Sequence, residues 1–559
     1  MVQREGEETI VEVEKEGIET TASDVNTIEN AEISLFGSTY HSGVTKSEQV
    51  LKSLASIRVT DFIPTEEQRS KVILIAVLDK SGSMGGEKLA SVQTTMEFVA
   101  SKLTERDQLA IVEYDTNVAV TLPITSMDES GKAKSEQIIN KLRSGSSTNL
   151  CGGLVEGIRL LPSETAPETV VSILLMTDGH ANVGIDTSDG ILSKLKSLME
   201  NEVHCKFNIN TFGFGADHNA DLLKEIAQIT EGSYYFIGSD DSIGSAFADC
   251  LGGLISVLGQ GLELIIETPE GVSIPHVYFE EKKLTKLAPN KVRVALGNVQ
   301  LGTVRDILFD ISLPATEEDV VELPCATLTL DYYHLPSKQM KILRSAITIS
   351  RLEENQLTEA HKATNILVDK NQNRVNTATA TSNALKMAKE NNFEGARALL
   401  DNTATQIENS VSGSDEFCVN LAKELRSMKL EVQSSTTFRT AGQFSLSRCS
   451  MDMRTQRSTQ AGKFFDTAAN HKMRFDSADF ALKKLSRSVT SIPTSPVSPV
   501  TVSSHSILKP RIPRRLNTSK PRFDSCDWSL TRSSPNIVPI PVIDVDSSDT
   551  KSYSGSDSD

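Results

Sequence analysis

The chain has 559 residues, 38% of them hydrophobic and 23% charged, and a formal net charge of −17. That length allows about three domains, and the acidic balance argues against a nucleic-acid-binding surface, which would be basic. No apolar run approaches the ~20 residues of a bilayer-crossing helix, so no membrane span is expected.

Residues 1–30 are rich in Glu and poor in aromatics and read as a disordered acidic arm without the apolar region of a secretory signal. The seven cysteines (Cys151, Cys205, Cys250, Cys325, Cys418, Cys449 and Cys526) are odd in number, scattered and without a CxxC pair. Such spacing suits reduced thiols and excludes a RING-type zinc module, which needs closely spaced ligands. The expected location is cytoplasmic, with the nucleus as the alternative. Between residues 31 and 65, Ile33-Ser34-Leu35-Phe36 and the run from Leu54 to Val59 predict strands that pair with a later β region.

From residue 71 the pattern changes. Val72 to Leu78 is short, unbroken and rich in branched residues, as a strand buried on both faces of a parallel sheet should be. It ends at Asp79 and runs into the tight loop Lys80-Ser81-Gly82-Ser83-Met84-Gly85-Gly86, with a helical pattern from Glu87 to Leu103. Strand Gln108 to Tyr114 and an antiparallel edge strand Val118 to Leu122 follow, then helices near Lys132 to Leu142 and Leu150 to Leu161. A second buried strand, Val170 to Met176, ends in Thr177-Asp178-Gly179. Helix Ile191 to Asn201, strand Lys206 to Phe212, helix Ala220 to Gln228, strand Gly232 to Phe236 and a closing helix Ile243 to Leu258 complete an alternating βα rhythm, the signature of right-handed crossovers and a parallel sheet.

Open α/β sheets keep ligands beyond the carboxyl ends of their strands. Asp79, Ser81 and Ser83 fall there, as do Asp178 and the loop Gly145 to Leu150 with Thr148. Carboxylates with hydroxyls suit a hard divalent cation such as Mg²⁺, which needs few protein groups and keeps positions open for water and ligand. A nucleotide P-loop fails because Gly86 is followed by Glu87-Lys88-Leu89, and Phe212-Gly213-Phe214-Gly215-Ala216-Asp217-His218 lacks the third glycine of a dinucleotide fingerprint.

The segments DKSGSM, SSTNL and LLMTDG, in that order, make residues 71–260 resemble the von Willebrand factor A (VWA) family and its metal-ion-dependent adhesion site. The resemblance implies a doubly wound, Rossmann-like α/β fold. It also implies that Ser81, Ser83 and Thr148 hold a metal directly or nearly so, with Asp79 and Asp178 coordinating directly or through water. The cation would be Mg²⁺, with Mn²⁺ or Ca²⁺ as alternatives, and an acidic side chain of a protein partner would fill the remaining position.

Residues 261–351 show short β segments between turns such as Thr268-Pro269-Glu270-Gly271, predicting a β-sandwich. Residues 352–434 predict a helical region, with a hairpin of Ala380 to Lys389 and Glu394 to Ile407. This domain order is similar to that of intracellular VWA proteins, among them plant ubiquitin ligases whose RING precedes the VWA domain. No RING is present in this chain, so ligase activity does not carry over.

Residues 435–485 read as loosely ordered, and 486–559 as a disordered Ser/Pro-rich tail. Within the tail, Thr494-Ser495-Pro496, Ser498-Pro499 and Ser534-Pro535 suit proline-directed kinases, and Lys509 to Arg515 is a small basic cluster. Ile540, Val542, Ile543 and Val545, flanked by acids and serines, resemble a SUMO-interacting motif, a short strand that adds to a sheet edge.

The chain is therefore expected to be a non-enzymatic, intracellular interaction protein that grips an acidic partner residue through a metal. An accessory protein of ubiquitin or SUMO pathways is the first alternative. A metal-dependent hydrolase is the second; it would need a base, for which His180 is the only candidate near Asp178.

Overall fold

The computed structural model describes residues 32–238, 243–457 and 464–490. The acidic arm, Cys526, and the tail with its Ser-Pro sites, basic cluster and Ile540 to Val545 motif lie outside the described residues. One compact unit ends at Ala481, and a second begins at Leu482.

The first strands, β1 (Ile33–Thr39), β2 (Gly43–Thr45) and β3 (Gln49–Val59), precede the α/β unit but belong to other sheets. The α/β unit then runs β4 (Lys71–Asp79), α1 (Glu87–Lys102), β5 (Gln108–Tyr114), β6 (Val118–Ser126), α2 (Glu129–Lys141), α3 (Leu150–Arg159) and β7 (Thr169–Thr177). It continues with α4 (Ser188–Asn201), β8 (Asn208–Phe214), α5 (Ala220–Ile229), β9 (Tyr234–Ile237) and α6 (Ile243–Ile255). The sheet order is β6-β5-β4-β7-β8-β9, parallel except for β6, so the chain has the doubly wound, Rossmann-like fold expected of it.

Alternation within β4 explains its unbroken apolar run. Val72, Leu74, Ala76 and Leu78 pack with α1 and α6, while Ile75 and Val77 pack on the other face with α3, α4 and α5. Gly153 lets α3 lie against the sheet, because a Cβ there would stand 2.6 Å from the Tyr114 ring.

Capping moves two helix starts ahead of their expected positions. The Asp128 side chain accepts from Gly131 N–H and begins α2 at Glu129; Thr187 accepts from Gly190 N–H and begins α4 at Ser188. The closing helix is also corrected. It ends at Ile255, not Leu258, where Ser256 Oγ bonds back to Gly252 O at 2.7 Å, and the next strand starts at Val257, ahead of the expected Leu262. That strand absorbs the glycines through register shifts between Gly259 and Leu262, with Gly261 at φ 62°.

The second layer pair comprises β10 (Val257–Glu267), β11 (Leu284–Ala288), β12 (Lys291–Gln300), β13 (Val304–Leu313), β14 (Val320–His334) and β15 (Gln339–Leu352). One sheet is β1-β3-β13, the other β11-β12-β10-β14-β15-β2. Leu51, Ile57 and Phe309 from the first share a core with Leu264, Val294 and Leu328 from the second, which makes a β-sandwich. Because β1 to β3 come before the α/β unit, that unit is inserted into the sandwich. Its two ends meet where Ser70 N–H donates to Ile255 O at 3.1 Å and Ser70 Oγ to Val257 O at 2.7 Å.

The helices that follow are α7 (Glu359–Lys362), α8 (Ile366–Lys389), α9 (Phe393–Glu408), α10 (Glu416–Glu431), α11 (Ser435–Thr437), α12 (Gln443–Thr455) and α13 (Ala468–Thr490). Helix α8 begins well before the predicted Ala380, because its first half buries Asn371, Asn373 and Arg374 instead of an apolar stripe. The described residues of 435–485, expected to be loosely ordered, instead form the short α11, a π-turn, α12 and the start of α13. Phe438, Leu446, Cys449 and Met453 pack into the α8–α10 core at helical spacing that the intervening basic residues obscure.

The start of the α/β unit is fastened by Asp107, fully buried against Arg69 and accepting the N–H groups of Val72 (3.0 Å) and Thr104 (2.8 Å). Burial pushes its carboxyl up, but Arg69 and the backbone donors outweigh that and hold it below the usual range. A depressed folded value stabilises above the unfolded carboxylate pKa of about 4 and is lost as pH falls through the folded one. Between about pH 5 and pH 2.5 the urea midpoint should therefore fall further for the parent chain than for Asp107→Asn, and equal falls would contradict this.

Candidate metal-binding site

Three loops meet at the carboxyl ends of β4 and β7. Loop 80–86 is joined to loop 143–149 by Gly82 N–H to Ser146 O (2.8 Å) and Gly145 N–H to Lys80 O (2.6 Å). Loop 178–187 closes the ring. Asn182 Oδ1 accepts from Thr148 N–H at 2.8 Å, and the Asn182 and Val183 N–H groups donate to Thr148 O. Gly145 is required for this approach, since a Cβ there would lie 1.9 Å from Asp115 Oδ2.

Within the ring the side chains form a continuous network. Asp79 is fully buried; its Oδ1 accepts Ser81 N–H at 2.8 Å and its Oδ2 accepts Thr177 Oγ1 at 2.7 Å. Ser81 Oγ lies 3.2 Å from Ser83 Oγ, which donates to Asp178 Oδ1 at 2.6 Å. Four of the five sequence-predicted site residues are thus linked through hydrogen bonds. The fifth, Thr148, is buried and held at its main chain by the adjoining loop, with no side-chain hydrogen bond among the described residues.

Burial raises the Asp79 carboxyl above its ordinary range; hydrogen bonds from Thr177 and Ser81 pull it back, and the Asp178 charge pushes it up again. Two nearby buried carboxylates call for a cation. Lys88 supplies one, its Nζ 2.5 Å from Asp178 Oδ2. Sequence reasoning missed Lys88, although its place in the first turn of α1, behind the Ser loop, was a readable signal.

His180 stands exposed at the rim, and nothing pairs it with a nucleophile among the described residues. The other histidine nearby, His218, is pushed down to about 4 by burial and ties Gly215 O (2.8 Å) to Tyr234 Oη (2.7 Å), a neutral brace for its loop. Among the described residues no three His, Cys, Asp or Glu side chains gather as a ligand set. The donors here are two carboxylates with hydroxyls, an all-oxygen set that fits a hard divalent cation and not a soft one.

Residues 74–248 match the family model of the von Willebrand factor type A domain. E3 ubiquitin-protein ligase WAV3 of Arabidopsis thaliana is 28% identical over 262 residues, 44% of this chain and 32% of that protein. YfbK of Escherichia coli is 27% identical over 274 residues, 48% of this chain and 46% of the relative. Inter-alpha-trypsin inhibitor heavy chain H3 of Rattus norvegicus is 28% identical over 157 residues, 27% and 17% respectively. The matches thus span under half the length of each of these relatives. Among solved structures, a von Willebrand factor type A protein from Catenulispora acidiphila superposes with a TM-score of 0.56 at 16% identity, covering 70% of this chain and 89% of that one, a likeness of fold.

Proposed function

We propose, on the premise that residues 74–248 form a von Willebrand factor type A domain, that this chain is an interaction protein which captures an acidic side chain of a protein partner through a divalent cation. Asp79, Ser81, Ser83, Thr148 and Asp178 would hold the ion. The observation that carries this reading is the network from Asp79 through Ser81 and Ser83 to Asp178, closed by three mutually bonded loops. Two anionic carboxylates alone repel a third; a cation reverses that sign at the mouth of the site. Mg²⁺ is the expected ion, with Mn²⁺ or Ca²⁺ as alternatives. No hydrolysis is assigned to the site, because His180 faces solvent without a partner group that would make it a base.

The proposed setting is intracellular, where the six free cysteines among the described residues, five of them buried, would persist as thiols. A second reading, accessory work in ubiquitin or SUMO pathways, is favoured by the similarity to WAV3. Affinity capture from cell extract onto the full chain separates the two. Unmodified proteins retained in Mg²⁺ and released by chelator support metal-mediated capture. Retention mainly of ubiquitin- or SUMO-modified proteins, indifferent to chelator, supports the second reading. Equal retention of the same unmodified proteins with and without chelator contradicts the first.

A further inference from the structure

A cavity of about 780 Å³ opens at the amino ends of β7 and β8, the opposite end of the sheet from the candidate metal site. The α/β unit, the sandwich strand β13 and helix α8 wall it in, and sites of this size accommodate whole small molecules. Four arginines line it: Arg58, which is paired with Asp306, and Arg305, Arg374 and Arg457.

None of the last three is paired with a carboxylate among the described residues. Arg305 is buried and donates one hydrogen bond, to Gln456 O at 2.5 Å. Arg374 is buried and donates to Asn371 Oδ1 (2.9 Å), Met453 O (2.6 Å) and Asp306 O (2.8 Å). Arg457 donates to Glu231 O (3.2 Å) and Asn298 O (3.0 Å), and its Nε has no hydrogen-bond partner among the described residues. Every acceptor is a neutral amide oxygen.

The acids nearby are engaged elsewhere. The Asp306 carboxylate is taken by Ser56, Arg58 and Asn371, and Asp249 by Arg474. Glu231 is half-buried and makes no ion pair with Arg457 among the described residues. Burial pulls all three guanidinium groups down from their ordinary value, Arg374 to about 10; the Asp306 charge partly opposes this at Arg374 and the Glu231 charge at Arg457, whereas Arg305 is pushed further down by its two arginine neighbours.

Arg305 and Arg374 are buried and Arg457 is partly buried, and none has a carboxylate within ion-pair distance among the described residues; such charges are costly to keep together unless an anion neutralises them. Guanidinium forks match the paired oxygens of carboxylates and phosphates. We propose that this cavity binds a small, multiply charged oxyanion, a phosphate ester or a polycarboxylate, whose oxygens complete the hydrogen bonding of Arg305, Arg374 and Arg457.

The test is thermal unfolding of the full chain, freed of divalent metal and desalted so that the metal site takes no part. Sodium pyrophosphate and sodium citrate are titrated separately against sodium chloride of matched ionic strength. At least one anion should raise the midpoint by about 3 °C at saturation, pyrophosphate more if the ligand is a phosphate and citrate more if it is a carboxylate. Arg305→Met should erase that rise, and in anion-free buffer it should raise the midpoint, because an uncompensated buried charge has gone. If Arg305→Met does not fold, Arg457→Gln carries the same comparison. No rise beyond the chloride control, or an equal rise in the variant, overturns the proposal.

Discussion

Asp79→Asn is expected to abolish stabilisation by Mg²⁺ while leaving the metal-free unfolding midpoint unchanged or higher. A ligand present at a hundred times its dissociation constant stabilises by about 2.7 kcal/mol, so the parent chain should gain about that much and the variant none. The metal-free sign follows from the site itself. Asp79 is fully buried, and its charge is opposed by burial and by Asp178. An asparagine keeps one oxygen for Ser81 N–H, and the Thr177 hydroxyl, also 3.3 Å from Gly179 N, can turn to accept from the new amide. Removing a confined negative charge at nearly constant volume costs little. Differential scanning fluorimetry with and without Mg²⁺ reads both quantities; a variant midpoint that still rises with Mg²⁺ as the parent's does would remove Asp79 from the ligand set.

Arg351→Met is expected to destabilise the chain by about 1–3 kcal/mol, the cost of leaving buried carbonyls without their donor, because four acceptors depend on this one side chain. Arg351 is 1% exposed and tucked under the edge where β2 adds three residues in parallel to β15. Its Nε donates to Thr45 O at 2.9 Å, and its Nη2 to Lys46 O (2.8 Å), Ser47 O (3.0 Å) and Pro314 O (3.0 Å). Methionine fills the space but leaves four carbonyls without that donor, and the short β2 has few other ties to hold it. Lysine would rescue little, since one ammonium cannot fan across acceptors as a guanidinium does. Urea unfolding measures the loss, and a change below about 1 kcal/mol would show that the Thr45 to Ser47 turn finds water instead.

What could be read from sequence follows from where the information sits. Val72 to Leu78 and Val170 to Met176 announced the sheet because both faces of each strand are apolar, and the fold class followed from their spacing. The five site residues are brought to one end of that sheet, although the bond joining Ser83 to Asp178 spans 95 positions. The α6 to β10 boundary is not legible in sequence because Leu254, Ile255, Val257 and Leu258 satisfy a helix and a strand equally well. Helix α8 lost its first half to buried Asn371, Asn373 and Arg374, whose partners lie on other elements. The guanidinium cluster was invisible for the same reason: Arg305, Arg374 and Arg457 are ordinary surface residues until the chain folds.

Insertion of the α/β unit between β3 and β10 sets an order on synthesis. Ser56 and Asp306, bonded across the β3–β13 pair, stand 250 positions apart. At roughly 5–20 residues per second, β3 would wait on the order of ten seconds or more after leaving the ribosome before β13 exists, and β2 longer still for β15. Throughout that interval the inserted unit, complete in itself by Ile255, has everything it needs to fold, while Leu54 and Ile57 remain bare. The nascent chain is therefore most exposed to aggregation and to chaperone capture through its earliest strands.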